Sequence, residues 1–510
     1  MNYLVDSKQM KYYDSYTIRT KKVPSAVLME RAALSVLKVL QEHYCTDRVL
    51  VLCGSGNNGG DGFAVARLLK NMGLNPAVYF CGDPGRMTPD ASLQKEIYLN
   101  YGGAVCTSFQ PECYTVVVDA LFGIGLSGKV TGEKAELIRK LNESGVKTVA
   151  VDIPSGVNAD HGAIEGIAVR ADSTVTFAYG KTGQFLYPGR EYCGTVYICD
   201  IGIYAPDRYD ETDEYGPCEE RERLQSADPL PSQVFTLTED DLFRMLPMRI
   251  PRSNKGTYGK VLLVGGNINM AGAIALSARA AGRCGCGLVK VLSHPENRTI
   301  LQSLVPEALF GSWSDPEAVA ASLRWADAVA IGPGLGTSSL SRDLVELILK
   351  QWKGTLVLDA DALNLIAAEP ALIEETGADL IITPHPGEMS RLCGTGIRQI
   401  LDRVLDTAKT YAADHRLVCV LKDAATVTTD GNSVCINSSG CDALATGGSG
   451  DVLTGMIASL AAQGMRGLEA ASAGVFLHGL AGEAAALQRG SRSVIAWDLT
   501  EALDNVLKSY

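Results

Sequence analysis

The chain has 510 residues, 46% hydrophobic and 20% charged, which is too long for one core at about 150 residues per domain and too apolar for a disordered chain. Its net charge of −12 excludes a nucleic acid or an anionic membrane as partner, so a phosphate ligand must be held by local backbone donors and single cations. The 14 cysteines form no C-x-x-C, and nothing completes a metal set around Cys284-x-Cys286, as expected of reduced thiols in a cytoplasmic protein.

The N-terminal stretch MNYLVDSKQMKYYDSYTIRTKK lacks the apolar core of a signal peptide, and no apolar run reaches the roughly 18 residues of a membrane span. Helical spacing of Val27, Leu28, Ala32, Leu37 and Leu40 predicts a helix over Pro24–Tyr44, with Ser25 as its cap. Short apolar runs then alternate with helical patterns. Strands are predicted at Val49–Cys53, Ala77–Cys81, Thr115–Asp119, Thr148–Asp152, Ser173–Phe177 and Thr195–Asp200. Buried runs of this kind, polar at their C-terminal ends, describe a Rossmann-like, doubly wound parallel sheet that binds ligands at its strand ends.

Gly54-Ser55-Gly56-Asn57-Asn58-Gly59 matches the G-x-G-x-x-G dinucleotide fingerprint. That fingerprint sets a pyrophosphate on the next helix N-terminus, and Asp61 would place a carboxylate against it. The acid at the expected distance, Asp83, sits in a Gly-Asp-Pro-Gly turn. A loop that exposes amide oxygens and a carboxylate is the better reading. Asn58, Asp119 and Ser155 all follow strand ends and together can offer oxygen ligands to a cation of low charge, although each alone could be bonding local backbone in a turn. Asp152 is the candidate acid/base group; in the alternative reading it bonds the Ser155 and Gly156 amides.

The stretches VPSAVLMERA, GSGNNGGDGF, VVDALFGIGLSG and AVDIPSGVN, spread over residues 10–202, resemble the NAD(P)H-hydrate epimerase domain. The resemblance implies contacts to the hydrated dinucleotide from Asn57, Asn58, Gly59, Gly60 and Asp61. It implies further contacts from Gly123, Ile124, Gly125, Leu126, Ser127, Gly128 and Lys129. It makes Asn58, Asp119 and Ser155 ligands of K⁺ and puts Asp152 on the reacting ring. Arg31 in MERA stands where the family often has Asn.

Tyr204–Gln233 is rich in Pro and acid and reads as a linker, with a helical pattern around Glu219–Leu224. The expected organisation is therefore 1–203, an acidic linker 204–233, and 234–510. Strands are predicted beyond it at Lys260–Val264, Leu288–Leu292, Ala326–Ile331, Thr355–Leu358, Asp379–Thr383 and Val418–Lys422, with a small-residue helix over Asp451–Gln463.

GGSGDVLTG opens that helix. The N–H groups of Gly448, Ser449 and Gly450 can converge as an anion hole, and Asp451 can take a hydroxyl proton during phosphoryl transfer; a glycine-rich helix cap with Asp at the first position is the plainer reading. With GKVLLVGG, NMAGAIALSARAA, AIGPGLG, VLDADALNL, ITPHPGEMSRL and VLKDAATVT in order over about 235–505, this half resembles the ribokinase-like NAD(P)H-hydrate dehydratase domain. The resemblance implies hydrate contacts from Ala273, Gly334, His385 and Asp451, with Asp451 as base. It implies contacts to ADP or ATP, the co-substrate, from Lys422, Asp423, Ala424, Ala425, Thr426 and Gly450, and Mg²⁺ on the nucleotide. Asp423 replaces the family's usual Gly and adds charge near phosphate. His385, between prolines, is expected in an extended turn.

The expected function is repair of hydrated nicotinamide cofactors, with NADHX or NADPHX and an adenine nucleotide as small-molecule partners and a homo-oligomer as the assembly. A vitamin or sugar kinase fused to a nucleotide-binding module is the alternative for the second half. A nucleotide-sensing module without turnover and an NAD dehydrogenase are further readings; Asp61 argues against the last.

Overall fold

The computed structural model describes residues 1–204, 233–374 and 376–508. The acidic linker and its helical pattern lie outside the described residues, apart from Tyr204 and Gln233. The chain divides into two compact units, one of Asn2–Val234 and one of Met1 with Phe235–Tyr510.

The first unit begins with β1 (Asn2–Val5) and a helix, Ser7–Arg19, capped by Asp6, whose carboxylate accepts from the Gln9 N–H at 2.7 Å. The helix Ser25–His43 follows. Its cap is Pro24, not Ser25: Ser25 is already helical and its hydroxyl donates to Asp90 Oδ1 at 3.1 Å. Proline suits that edge, where an N–H would have no intrahelical acceptor.

Seven parallel strands form the main sheet: β2 (Val49–Cys53), β3 (Ala77–Phe80), β4 (Val105–Cys106), β5 (Val116–Ala120), β6 (Lys147–Val151), β7 (Ser173–Phe177) and, after the short β8 (Gly180–Lys181), β9 (Thr195–Cys199). Their order is β4-β3-β2-β5-β6-β7-β9. The chain runs outward from β2 to β4, then returns to lay β5 on the other side of β2. That reversal opens a crevice at the carboxyl ends of β2 and β5. Beside the main sheet, β8 pairs with β1, setting Val5 opposite Lys181.

The next strand, β10 (Val234–Thr236), spans the division between the units. The second unit repeats the reversal with β11 (Lys260–Val264), β12 (Leu288–Ser293), β13 (Leu309–Ser312), β14 (Ala328–Ile331), β15 (Thr355–Leu358), β16 (Asp379–Ile382) and β17 (Val418–Leu421). These run parallel in the order β13-β12-β11-β14-β15-β16-β17. Antiparallel β18 (Val427–Thr429) and β19 (Val434–Ile436) extend the sheet. The crevice here lies between β11 and β14, where the Gly266 N–H donates to the Pro333 carbonyl at 2.9 Å.

Two apolar helices form the core of this unit. Ser449–Ala462 packs on β11, β14 and β15, and Gly467–Arg489 packs against it. By length and composition Gly467–Arg489 could cross a membrane, although no unbroken apolar run of that length exists in the sequence; here 72% of its most apolar stretch is buried in the protein. The described cysteines are all free.

Candidate active sites

The crevice of the first unit deepens into a cleft of about 720 Å³. Asn57, Asn58 and Asp61 reach it from the first turns of the helix Asn57–Asn71, Gly123–Leu126 from the loop after β5, and Asp152 from the end of β6. That helix can lie so close because its glycines carry no side chain: a Cβ on Gly59 would collide with the Gly54 carbonyl, and one on Gly60 or Gly62 would crowd neighbouring side chains. Gly59 and Gly60 are accordingly buried in packing and do not line the cleft. Ser127, Gly128 and Lys129 are exposed beyond it.

Around the reversal point, Asp119 is fully buried and its carboxylate accepts from three donors: Ser155 Oγ at 2.7 Å, the Ser155 N–H at 2.8 Å and the Leu121 N–H at 3.3 Å. Burial raises the Asp119 carboxyl to about 6, against the lowering effect of those bonds. Asn58 is only 8% exposed, and both polar atoms of its amide are buried without a hydrogen-bond partner. A Cβ on Gly123 would stand 3.3 Å from both the Asn58 side chain and Asp152 Oδ2, so these residues converge. An unsatisfied buried amide costs roughly 1–3 kcal/mol and points to a ligand. Its carbonyl, the Asp119 carboxylate and the Ser155 hydroxyl are hard oxygens suited to an alkali cation.

Asp152 is not the turn-forming residue of the alternative reading, because Asp119 takes the Ser155 N–H. Asp152 has φ +67°, a strained value for a non-glycine residue. Its Oδ1 pairs with Lys181 Nζ at 2.5 Å, and its carbonyl accepts from Gln184 Nε2 at 2.7 Å. Asp61 is held well above its ordinary value by burial and by the nearby charges of Asp152, Asp14 and Asp90. Burial and Asp90 likewise raise Asp14.

In the second unit the ends of four neighbouring parallel strands carry the candidate residues. Gly334 follows β14, with φ +59°, and a Cβ there would stand 3.2 Å from Ala273 Cβ; the two predicted hydrate contacts are thus adjacent. Asp359 follows β15, His385 follows β16 and Lys422 follows β17. Against this edge stands the N-terminus of Ser449–Ala462. Asp451 is its third residue rather than its first. The Ser449 N–H is donated to the Thr446 carbonyl at 3.3 Å, so it does not join an anion hole as expected; the macrodipole still favours an anion there.

Lys422 Nζ bonds Asp359 Oδ1 at 2.9 Å, and a Cβ on Gly450 would lie 3.4 Å from that ammonium. Lys422 therefore adds its charge to the helix terminus. Asp423 and Ala424 are exposed, whereas Ala425 and Thr426 are buried, with the Thr426 hydroxyl donating to the Asp423 carbonyl at 3.1 Å. Burial raises the Asp451 carboxyl to about 7, helped by Asp359, Asp361 and Glu388 and opposed by Lys422. Asp359, 2% exposed, stays below its ordinary value: burial alone would raise it, but Lys422 and the Thr454 hydroxyl, at 2.7 Å, outweigh this. His385 caps the helix Pro386–Cys393 in extended conformation. Its Nδ1 accepts from the Gly387 N–H at 3.0 Å, and burial with Lys422 lowers its pKa.

Sequence reasoning passed over Asp359, Glu388, Lys181, Asp14 and Asp90. Asp359 and Glu388 stand inside quoted motifs, VLDADALNL and ITPHPGEMSRL. Lys181 had a signal of its own, a single charge in the otherwise uncharged run FAYGKTGQFLY.

Each unit is thus an α/β enzyme scaffold with a buried acid at a strand-end crevice, the first Rossmann-like with an oxygen nest, the second with a cation beside a helix N-terminus. A family model described as YjeF-related protein N-terminus matches residues 25–183, and one described as NAD(P)H-hydrate dehydratase matches residues 261–505. The bifunctional NAD(P)H-hydrate repair enzyme Nnr of Moorella thermoacetica is 38% identical over 99% of this chain and 97% of its own length. Its namesake from Escherichia coli is 34% identical over 94% of this chain and 89% of its own. Among solved structures, a ribokinase-like superfamily protein of Enterococcus faecalis superposes with a TM-score of 0.50 at 28% identity, over 56% of this chain and 99% of that one. The chain belongs to the bifunctional NAD(P)H-hydrate repair enzymes.

Proposed function

We propose that the first unit interconverts the R and S epimers of hydrated NADH or NADPH and that the second returns the S epimer to the reduced cofactor at the expense of ADP or ATP. The whole-length kinship, 38% identity over 99% of the chain, carries this reading. It also disfavours the alternative of a vitamin or sugar kinase fused to a nucleotide-binding module, because the relative matched across both units is named for hydrate repair.

In the first cleft, moving the ring hydroxyl between faces requires a proton to leave and return. The Asp152 carboxylate takes the hydroxyl proton as the ring C–N bond opens. It gives the proton back after the freed carbonyl has turned and the bond has closed on its other face. Asn58, Asp119 and Ser155 would hold K⁺, which supplies a fixed positive charge against the buried carboxylate of Asp119.

In the second unit Asp451 takes the proton of the substrate hydroxyl as that oxygen attacks the terminal phosphorus of the nucleotide. AMP or ADP leaves. The phosphorylated hydroxyl then departs as phosphate, pushed by the ring nitrogen, and the resulting iminium ion loses a proton from the adjacent ring carbon to water, which restores the ring double bond of the reduced cofactor. Lys422 and the helix terminus at Gly450 hold the transferring charge. Among the described residues no three His, Cys, Asp or Glu side chains are grouped as a metal cage. A Mg²⁺ ion would be held mainly by phosphate oxygens and water.

The test is incubation of the protein with mixed hydrate epimers, K⁺, Mg²⁺ and ADP or ATP, following the absorbance of the reduced cofactor. Complete return is expected from the unaltered chain, return of only the S share from Asp152→Asn, and none from Asp451→Asn. No return from the unaltered chain with either nucleotide would overturn the assignment.

A further inference from the structure

Lysine is rarely buried without a partner, because removing an ammonium from water costs several kcal/mol. Lys181 is 1% exposed, at the end of the two-residue strand β8. All three of its N–H bonds are spoken for: Asp152 Oδ1 at 2.5 Å, Thr176 Oγ1 at 2.8 Å and the Phe177 carbonyl at 3.0 Å. Its backbone is equally fixed, by the pairing of β8 with β1 and by the Lys181 N–H donating to Gln184 Oε1 at 2.7 Å. Gln184 holds the Asp152 carbonyl from the other side of its amide, at 2.7 Å. Thr176 also donates to Asp152 Oδ1, at 3.3 Å. One short segment thus grips both ends of a strained aspartate.

The surroundings explain why such a grip is needed. Facing Asp152 across the cleft are Asp61 from the helix Asn57–Asn71, Asp14 from the helix Ser7–Arg19 and Asp90 from the helix Pro89–Asn100. The other charged groups lining the cleft, Lys11, Asp83, Arg86 and Lys134, make no hydrogen bond or ion pair to Asp152. Carboxylates gathered this closely repel one another, so a fixed cation is needed to hold Asp152 in place.

We propose that Lys181 is a positioning residue for epimerisation: its buried ammonium fixes the Asp152 carboxylate in one orientation at the cleft. Lys181 does not itself deliver the proton, since all its donors are engaged by the protein. The inference rests on the reading of this cleft as the epimerase site, and the experiment separates the two.

Epimer interconversion is measured directly, without nucleotide, on the unaltered chain and on Lys181→Met, across pH. If the unaltered chain does not interconvert the epimers, the function assigned to the cleft fails. If it does, Lys181→Met is expected to lose about a hundredfold in kcat with KM held within about threefold, because a proton-transfer group is misplaced while the binding surface stays. The acid limb of the variant's profile should move to higher pH. Dehydration of pure S epimer, carried out by the other unit, should be unchanged, while the held KM for epimerisation reports that the first unit is folded. Thr176→Val, nearly isosteric, carries the question if Lys181→Met does not fold: it removes one support of the same pair and should move the limb the same way by a smaller amount. An unmoved acid limb in the folded variant, or kcat at the level of the unaltered chain, overturns the inference.

Discussion

Asp451 is the residue whose chemistry is most exposed to measurement. Burial and the facing acids Asp359, Asp361 and Glu388 raise its carboxyl to about 7 from 3.8, so as the base of the dehydratase it should lose rate about tenfold per pH unit below that value. The same shift makes a prediction about stability. A carboxyl with a raised folded pKa stabilises the fold while protonated, and that contribution disappears as pH climbs through about 7. Asp451→Asn cannot ionise and escapes the loss. The variant should be inactive in dehydration yet more stable than the unaltered chain at pH 8, by up to about 4 kcal/mol, with the difference closing toward pH 4. Denaturant melts at the two pH values read this directly; a variant no more stable at pH 8 refutes the buried-charge account. Asp451 was legible in the sequence because a glycine loop, an acid and a helix stand side by side in GGSGD. Its setting was not, since Lys422 and Asp359 lie 63 residues apart in the chain and meet only because β15 and β17 flank β16.

At the scale of elements, strands and helix starts explain what could be read ahead. Parallel strands buried on both faces appear as apolar runs, so β2, β11 and β15 fall where the runs do. The two-residue β8 has no run to show, although it supplies Lys181. The helix Ser7–Arg19 buries a mixed face of Met10, Tyr13, Tyr16 and Thr17, too polar to stand out as a periodic stripe, yet it brings Asp14 to the cleft. The G-x-G-x-x-G letters do mark a close helix approach, though the geometry behind them is packing. Gly59 lies against the Gly54 carbonyl, and Gly62 against Ala120 Cβ and Cys53 Sγ. A methyl group on Gly59 would meet backbone, which no rotamer can relieve. Gly59→Ala should therefore push the first turn off the sheet, cost about 1–3 kcal/mol, and displace Asn58 and Asp61 from the cleft. Epimerisation should fall by more than tenfold while dehydration of pure S epimer persists; an epimerase rate equal to that of the unaltered chain contradicts this account of the turn.

For the molecule as a whole, the consequence lies in how the two sites share a chain. Every residue given a role in epimerisation belongs to Asn2–Val234, and every residue given one in dehydration belongs to Phe235–Tyr510. Among the described residues, none given a role at one site lies in the other unit, so the S epimer is expected to leave one site as a free molecule before it is consumed at the other. Two defective chains should then complement each other in solution. Asp152→Asn alone should restore only the S share of a mixed hydrate, and Asp451→Asn alone none. An equal mixture of the two variants should restore the full absorbance, at a rate that rises with the concentration of either. Should the mixture stop at the S share although Asp451→Asn epimerises when assayed alone, the S epimer is handed on within one chain and the two halves are coupled by more than a shared polypeptide.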